Sequence, residues 1–321
     1  MQHVLITGGA GFIGSHLAER LLSLGQRVSI IDNFDDFYDP AVKRRNVEAA
    51  VAHSNCRLYD ADIRKTTAAD AVWTREPIDV VVHLAARAGV RPSIKQPALY
   101  ADVNVVGTIK LLEAARRHGP PKFIFASSSS VYGNNEKTPF HEDDRVDFPI
   151  SPYAATKKAG EELCYTYHRL YDLPMTCLRF FTVYGPRCRP DLAVAKFTRL
   201  IDEGQAIPMF GDGSMRRDFT YIDDIVDGVV KAIDRCGDFR IYNLGESKPI
   251  VLSDMIRTIC EAVGKKAVID RQPQPPGDVD VTYADISRAG DELGYKPAVA
   301  FDEGIGRFVA WYRSTPAESL K

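Results

Sequence analysis

The sequence predicts an α/β fold: a doubly wound parallel sheet followed by a smaller, mixed α/β C-terminal lobe. Three observations carry that expectation. Short apolar runs alternate with longer amphipathic stretches through the first half. A glycine-rich turn stands directly between the first apolar run and the first amphipathic stretch. After Tyr184 the texture changes to turn-rich segments that carry Arg and Asp.

In order, Val4–Thr7, Val28–Asp32, Arg57–Tyr59, Val80–Leu84 and Lys122–Ala126 read as buried strands. Between them, Ile13–Leu24, Ala41–Ala52 and Tyr100–Arg117 carry the apolar spacing of helices. A long helix is expected over about Pro152 to Tyr171, then a strand at Met175–Phe181. Beyond Tyr184, helical periods recur at Leu192–Gly204, Asp223–Arg235 and Leu252–Val263. The turns between them include Gly185-Pro186-Arg187, Phe210–Ser214 and Gln272–Asp278. The expected division is 1–181 for the first domain, with returning segments near 220–250 such as Ile241–Gly245, and 182–321 for most of the second lobe.

Composition narrows the function classes. The 321 residues are 45% hydrophobic and 26% charged, which fits a globular chain and excludes disorder. Lys plus Arg total 41 against 43 Asp plus Glu, a formal charge of −2, so no general basic field exists to hold nucleic acid. Six cysteines are scattered without C-x-x-C spacing, which predicts no metal site and a reducing compartment. Met1–Thr7 lacks a signal-peptide pattern, and no apolar run approaches the roughly 18 residues that span a bilayer. A soluble, cytoplasmic protein without membrane partners is expected.

The chemistry begins at Gly8-Gly9-Ala10-Gly11-Phe12-Ile13-Gly14, immediately after the first strand. Gly8 and Gly11 allow a tight turn and close backbone approach to a pyrophosphate. Gly14 lets the helix pack close to the strand, and the helix N-terminus offers partial positive charge. This is the pattern of a Rossmann dinucleotide site. Asp32 ends the second strand 18 residues after Gly14, where a carboxylate can accept from both ribose hydroxyls and would repel a 2′-phosphate. NAD is therefore expected rather than NADP, with Asn33 beside the acid. Asp62-Ile63 follows the third strand, near the expected adenine. Leu84-Ala85-Ala86 ends the fourth, where small residues let the cofactor lie close.

Tyr153 and Lys157 stand at i and i+4, on one face of a helix. A free phenol has a pKa of about 10, so a phenolate at neutral pH needs a shift of about 3 units, which a neighbouring ammonium can help to supply. Such a phenolate can take a hydroxyl proton as a hydride leaves the same carbon. Ser127-Ser128-Ser129-Ser130 follows the fifth strand, at the edge that faces the ligand crevice of a doubly wound sheet. A hydroxyl there can share the reacting proton with Tyr153, and spacing alone leaves open which serine does so.

Together these residues resemble the extended short-chain dehydrogenase/reductase family, in its nucleotide-sugar epimerase branch. Arg217–Asp224 and Pro276-Gly277-Asp278-Val279 match the family's second lobe, so the resemblance covers nearly the whole chain. Asp32–Tyr38, Ala88-Gly89-Val90-Arg91, Phe180–Pro186 and Arg189-Pro190-Asp191 are most similar to members acting on UDP-glucuronate. Thr182 stands where many relatives carry Asn, and Pro275 where many carry Arg.

The resemblance implies an isomerase that interconverts UDP-glucuronate and UDP-galacturonate through a 4-keto sugar. UDP-glucose or UDP-N-acetylglucosamine epimerisation, or UDP-glucuronate decarboxylation, are the alternatives. It implies Ser128 as the helper hydroxyl, with Ser127 and Ser129 near the sugar. Thr182 and Arg189 would face the sugar carboxylate, with Arg91 as a further cation. Arg217 would meet the diphosphate and Asp278 the uridine ribose, while Thr282 stands where glucose-type members often carry a larger gating residue. It further implies a homodimer packed through about Tyr100–Arg117 and Pro152–Tyr171.

Overall fold

A computed structural model describes residues 1–273 and 279–316. Among them the strands, in chain order, are β1 (His3–Thr7), β2 (Arg27–Asp32), β3 (Cys56–Asp60), β4 (Val80–His83), β5 (Lys122–Ser128), β6 (Met175–Phe180), β7 (Thr182–Tyr184), β8 (Ala206–Phe210), β9 (Arg216–Tyr221), β10 (Arg240–Leu244), β11 (Pro249–Val251) and β12 (Val268–Gln272). Seven form one sheet in the order β10-β6-β5-β4-β1-β2-β3. All its pairings are parallel. Order reverses between β1 and β4, so a crevice opens at their carboxyl ends. Asp278 and the rest of 274–278 lie outside the described residues.

The apolar runs are continuous because both faces of this sheet are covered. Val4, Ile6, Val80, Val82 and Ile124 pack on one side. Leu5, Val81, Phe123, Phe125 and Met175 pack on the other. Strand alternation assigns neighbouring residues to opposite cores.

Strand β10 joins the large sheet beside β6, Ile241 opposite Cys177. The remaining strands form two small sheets. In one, β9 lies between antiparallel β11 and parallel β7; in the other, β12 pairs with β8. No helix among the described residues is long and apolar enough to cross a membrane.

Two departures from the sequence expectation have local causes. The stretch expected as one helix over 100–117 is three pieces: Pro97–Ala101, a π-helical turn at Asp102–Val106, and Gly107–His118. The π turn carries Asn104, whose amide bonds both the N–H and the carbonyl of Arg87. The sequence pattern predicts no helix over Phe301–Ser314, where Gly304 and Gly306 dilute the signal, yet the segment is helical with Ile305, Phe308 and Val309 buried.

A buried polar chain crosses the protein below the crevice. Arg179 on β6 is 1% exposed and makes a two-pronged bond to Glu161, Nε to Oε1 at 2.8 Å and Nη2 to Oε2 at 2.9 Å. Its Nη1 donates to the Tyr132 hydroxyl, which donates to Asn243 Oδ1 at 2.7 Å. The Asn243 amide then donates to the carbonyls of Phe140 and Asp285. Ser127 donates to Glu161 at 2.6 Å. Arg179→Met would strip the buried Glu161 of its two-pronged partner, leaving only the Ser127 hydroxyl and the Lys158 ammonium at 3.7 Å. It should cost about 3–5 kcal/mol in denaturant unfolding, and Glu161→Leu added to it should recover part of that loss.

Candidate active site

The crevice is a cleft of about 460 Å³, within the usual range for small-molecule sites. The turn after β1 forms one end. Gly8 has φ +71°, and a Cβ there would lie 2.7 Å from the Ala85 nitrogen. A Cβ on Gly14 would lie 2.4 Å from the Gly8 carbonyl oxygen. Only glycine allows the turn, β4 and the helix start to approach this closely. The helix Phe12–Ser23 begins at Gly11 with no capping side chain and no acid in its first turn. Its N–H groups are thus left for an anion.

Asp32 is 7% exposed and lines the cleft. Its Oδ2 accepts from the Ala10 N–H at 3.0 Å and its Oδ1 from the Phe34 N–H at 2.9 Å. Burial pushes this carboxyl up, while the Lys43 ammonium and the two N–H groups pull it down. Asn33 donates to Asp62 Oδ2 at 3.1 Å. Asp62 is held at about 2, chiefly by its hydrogen bonds from Arg64. Asn33, Asp62, Ile63, Leu84, Ala85 and Ala86 all line the same cleft as Gly11, Phe12 and Ile13.

Behind the end of β4, His83 is buried and its pKa is lowered to about 3, mainly by desolvation. Thr108 donates to the Asn104 carbonyl at 2.6 Å, so it must accept from His83 Nε2 at 2.9 Å. His83 Nδ1 then accepts from the Thr7 hydroxyl at 2.7 Å, and Thr7 accepts from the Ala85 N–H. The order of donors fixes one neutral tautomer. Asn104 continues the line to Thr156 at 3.0 Å, and Thr156 donates to the Tyr153 carbonyl. The cofactor-side turn and the Tyr153 helix are thereby in register.

That helix, Pro152–Tyr171, starts with Ser151 accepting from the Ala154 N–H at 3.1 Å and Pro152 in the first turn. Tyr153 is half-buried at the cleft. Burial pushes its phenol up; a hydrogen bond with Ser128 and the charge of Arg189 pull it down. The Ser128 and Ser130 hydroxyls are in hydrogen-bond contact, and Ser128 Oγ also accepts from the Ser130 N–H. Lys157 shares the expected face, but its Nζ donates to the Ala126 carbonyl at 2.7 Å and lies 6.0 Å from the Tyr153 ring centre. Desolvation lowers its pKa to about 8. The guanidinium of Arg189 adds a second positive charge that favours the phenolate.

Arg189 lines the cleft with Thr182 and Ser129. Its Nε and Nη2 bind the two oxygens of Asp191, each at 2.9 Å, leaving Nη1 without a partner among the described residues.

Three other residues expected near the sugar nucleotide, Ser127, Arg91 and Arg217, make other contacts in the structure. Ser127 lines the wall, but its hydroxyl proton goes to Glu161, not to the cleft. Arg91 does not line the cleft: it leaves the first turn of the short helix Val90–Lys95 and lies over Phe210 at 4.4 Å. Arg217 is also outside the lining, its Nη1 donating to the carbonyls of Arg216 and Asp280. Thr282, where glucose-type members often carry a larger residue, is buried, its hydroxyl accepting from the Asp218 N–H at 3.1 Å. Sequence reasoning missed Phe37, Lys43 and Arg87, all in the lining, and Asn104 behind it. The only local signal for Arg87 is its place just after Ala85-Ala86; Phe37 sits in a run already singled out, without a role.

The chain is 43% identical to a UDP-glucuronate 4-epimerase of Thermodesulfobacterium geofontis, over 97% of this chain and 96% of that one. It is 44% identical to an uncharacterized protein of Methanocaldococcus jannaschii over 97% of its length and 96% of that protein's. Among solved structures, a UDP-glucuronic acid 4-epimerase from Bacillus cereus, in complex with UDP-glucuronic acid and NAD, superposes with a TM-score of 0.91 at 37% identity, covering 98% of this chain and 99% of that one. A UDP-glucose 4-epimerase from Thermotoga maritima gives 0.90 at 32% identity, covering 98% and 99%. The model of the GDP-mannose 4,6 dehydratase family matches residues 5–308. The crevice, its glycine turn and its Tyr153–Ser128 pair thus stand in a chain that belongs to that family, among the extended short-chain dehydrogenases/reductases.

Proposed function

We propose that this chain is an NAD-dependent isomerase that inverts carbon 4 of UDP-glucuronate and of UDP-galacturonate. One observation carries the choice of a sugar acid: Arg189 stands beside the Tyr153 phenol in the cleft, with one edge bound to Asp191 and Nη1 spare. The open Nη1 is a charged donor, and a carboxylate answers it with a stronger, charge-assisted hydrogen bond than a neutral hydroxyl would. The named relatives agree in substrate class.

The residues present fit NAD. A Cβ on Gly8 or Gly14 would push the turn away from β4 and the helix start, the helix start carries no competing acid, and Asp32 disfavours a 2′-phosphate. Gly11, Phe12, Ile13, Asn33, Asp62, Ile63, Leu84, Ala85 and Ala86 would complete its site. On this reading 1–181 holds the cofactor and 182–321 mainly the nucleotide sugar. When bound, NAD supplies the acceptor and then the donor of the two electrons exchanged at carbon 4.

Tyr153 Oη takes the proton of the carbon-4 hydroxyl, and Ser128 shares it, with Ser129 alongside. Lys157 keeps a positive charge on the same helix face. The keto sugar swings about its diphosphate tether, and the proton returns from Tyr153 on the other face. Thr182 and Arg189 hold the carboxylate, because a ketone at carbon 4 makes it a β-keto acid prone to lose carbon dioxide. We assign the diphosphate to Arg217 and the uridine ribose to Asp278 on the resemblance of their segments alone. Arg91, stacked on Phe210, and Ser127, spent on Glu161, receive no sugar contact.

We further infer a cytoplasmic homodimer packed through the 107–118 and 152–171 helices. In support, Val106 just before the first and Tyr165, Leu170 and Tyr171 on the second are exposed apolar side chains. Light scattering should read twice the chain mass; a monomer would refute the dimer.

Product analysis on a panel of UDP sugars, without added NAD, tests the main reading. Wild type should form UDP-galacturonate from UDP-glucuronate. Tyr153→Phe should lower kcat by about 10²–10⁴-fold, and Arg189→Ala should raise the UDP-pentose by-product relative to epimer. Turnover of UDP-glucose but not UDP-glucuronate would overturn the reading.

The buried ammonium sets a pH test. With a folded-state pKa near 8 against an ordinary 10.5, Lys157 is charged in both states below pH 8, and its desolvation cost is then complete. Between pH 8 and 10.5 the folded chain sheds the proton first, so stability rises. The full shift corresponds to about 3 kcal/mol. Lys157→Met, inactive, should remove that rise in unfolding curves measured from pH 7 to 10.5.

A further inference from the structure

The segment between Asp32 and the helix Pro40–Val51 is unusually ordered for a loop, and its sequence explains why. Asp32 Oδ1 accepts from Phe34 N–H at 2.9 Å, Asn33 Oδ1 from Asp35 N–H at 3.1 Å, and Asp35 Oδ1 from Phe37 N–H at 2.9 Å. Each acid or amide closes an Asx turn two residues on. Asp39 then caps the following helix, accepting from Ala41 N–H at 2.8 Å. Lys43 fastens the middle of the loop, its Nζ donating to the Asp35 carbonyl at 2.7 Å. The chain thus runs from the expected ribose acid to Phe37 with little freedom.

Phe37 is where this loop meets the far side of the cleft. The Arg87 guanidinium lies 5.2 Å from its ring centre and that of Arg189 lies 5.4 Å away. Arg87 is also paired with the Asp35 carboxylate. One aromatic ring therefore contacts two guanidinium groups that approach from distant parts of the chain. Asp191 anchors the Nε/Nη2 edge of Arg189 but leaves the guanidinium free to tilt about that edge. A ring under the guanidinium removes the tilt and directs Nη1.

We propose that Phe37 is a positioning residue: it holds Arg189 at the angle that grips the sugar carboxylate, and so sets both affinity for the sugar acid and its protection from decarboxylation. The inference rests on the reading that this chain epimerises UDP-glucuronate. In the unwanted reaction the C5–C6 bond of the 4-keto sugar breaks, its electron pair enters the C4–C5 enolate, and carbon dioxide leaves. Carbon 5 then takes a proton from water, and carbon 4 regains the two electrons removed from it, giving a UDP-pentose. A carboxylate kept in the plane that does not align C5–C6 with the ketone π system resists this step.

The test uses purified holoenzyme of wild type, Phe37→Leu and Phe37→Tyr. In Phe37→Leu the KM for UDP-glucuronate should rise about tenfold, the size of a desolvated cation–π contact. The inhibition constant of UDP, which has no carboxylate, should stay within about twofold, as should the NAD released on denaturation. The fraction of UDP-pentose should rise severalfold. Phe37→Tyr, which keeps the ring, should restore all values. Parallel loss of UDP and UDP-glucuronate affinity, loss of NAD, or an unchanged pentose fraction in Phe37→Leu would overturn the assignment. Absence of UDP-galacturonate formation by wild type would instead overturn the reading beneath it. Should Phe37→Leu fail to fold, Phe37→Met takes its place with the same outcomes.

Discussion

The geometry of the site depends on one buried ion pair. Arg179 and Glu161 are each about 1% exposed, and each would be costly alone in such surroundings. They persist because every polar edge is answered: Glu161 accepts from Ser127 as well as Arg179, and Arg179 donates also to Tyr132 and the Glu142 carbonyl. Glu161 lies two turns beyond Tyr153 on the same helix. Ser127 precedes Ser128 on β5. Fixing Glu161 against Ser127 therefore fixes the phenol against its partner hydroxyl. The same chain reaches Asn243 and Asp285, so the second lobe is referenced to the same point.

Around that anchor, charge is distributed locally because the chain as a whole has almost none. Each arginine at the cleft has an acid partner: Asp191, two residues from Arg189, and Asp35, which closes its own Asx turn beneath Arg87. Lys157 is the exception: among the described residues it has no acid partner, its Nζ donating to the Ala126 carbonyl and lying 5.2 Å from the Phe125 ring centre. An unpaired ammonium weakens the fold and leaves its field available to the reacting oxygen, which is the usual conflict between stability and activity.

What the sequence makes legible is what is local or periodic. The glycine turn, Asp32 and the strand–helix alternation are each encoded within a few tens of residues, and the sheet follows them. The Tyr153/Lys157 spacing is legible as a shared helix face, but not the bond from Lys157 to Ala126, which depends on how β5 packs under that helix. Arg189 over Phe37 joins positions more than 150 residues apart, and neither residue type alone signals the other. Ser129 is legible as a cleft residue from the end of β5 and Thr182 only from the family resemblance, and both line the cleft, whereas Arg91 misleads: an arginine in a cleft-side run turns outward because Phe210 offers its ring. Strand β8 carries Pro208 at its centre, and β12 is largely exposed and polar in its second half, so neither shows the buried apolar run that marks the strands of the large sheet.

The choice of arginine rather than lysine beside the sugar acid has a chemical reason. A β-keto acid loses carbon dioxide most readily when its carboxyl proton can pass to the ketone oxygen in a cyclic transition state. A cation that could release a proton would open that path. Burial has already brought Lys157 to a pKa of about 8, within reach of neutral pH. Burial opposes the charge on Arg189 as well, yet its pairing with Asp191 raises its pKa, and guanidinium starts from a far higher value. Arg189 thus contributes charge and hydrogen bonds without supplying the proton that decarboxylation needs. The proton-transfer duty falls to Tyr153, whose phenol meets carbon 4 rather than carbon 6. Separating the group that holds the acid from the group that moves the proton is what allows oxidation at carbon 4 to be reversed with carbon 6 intact.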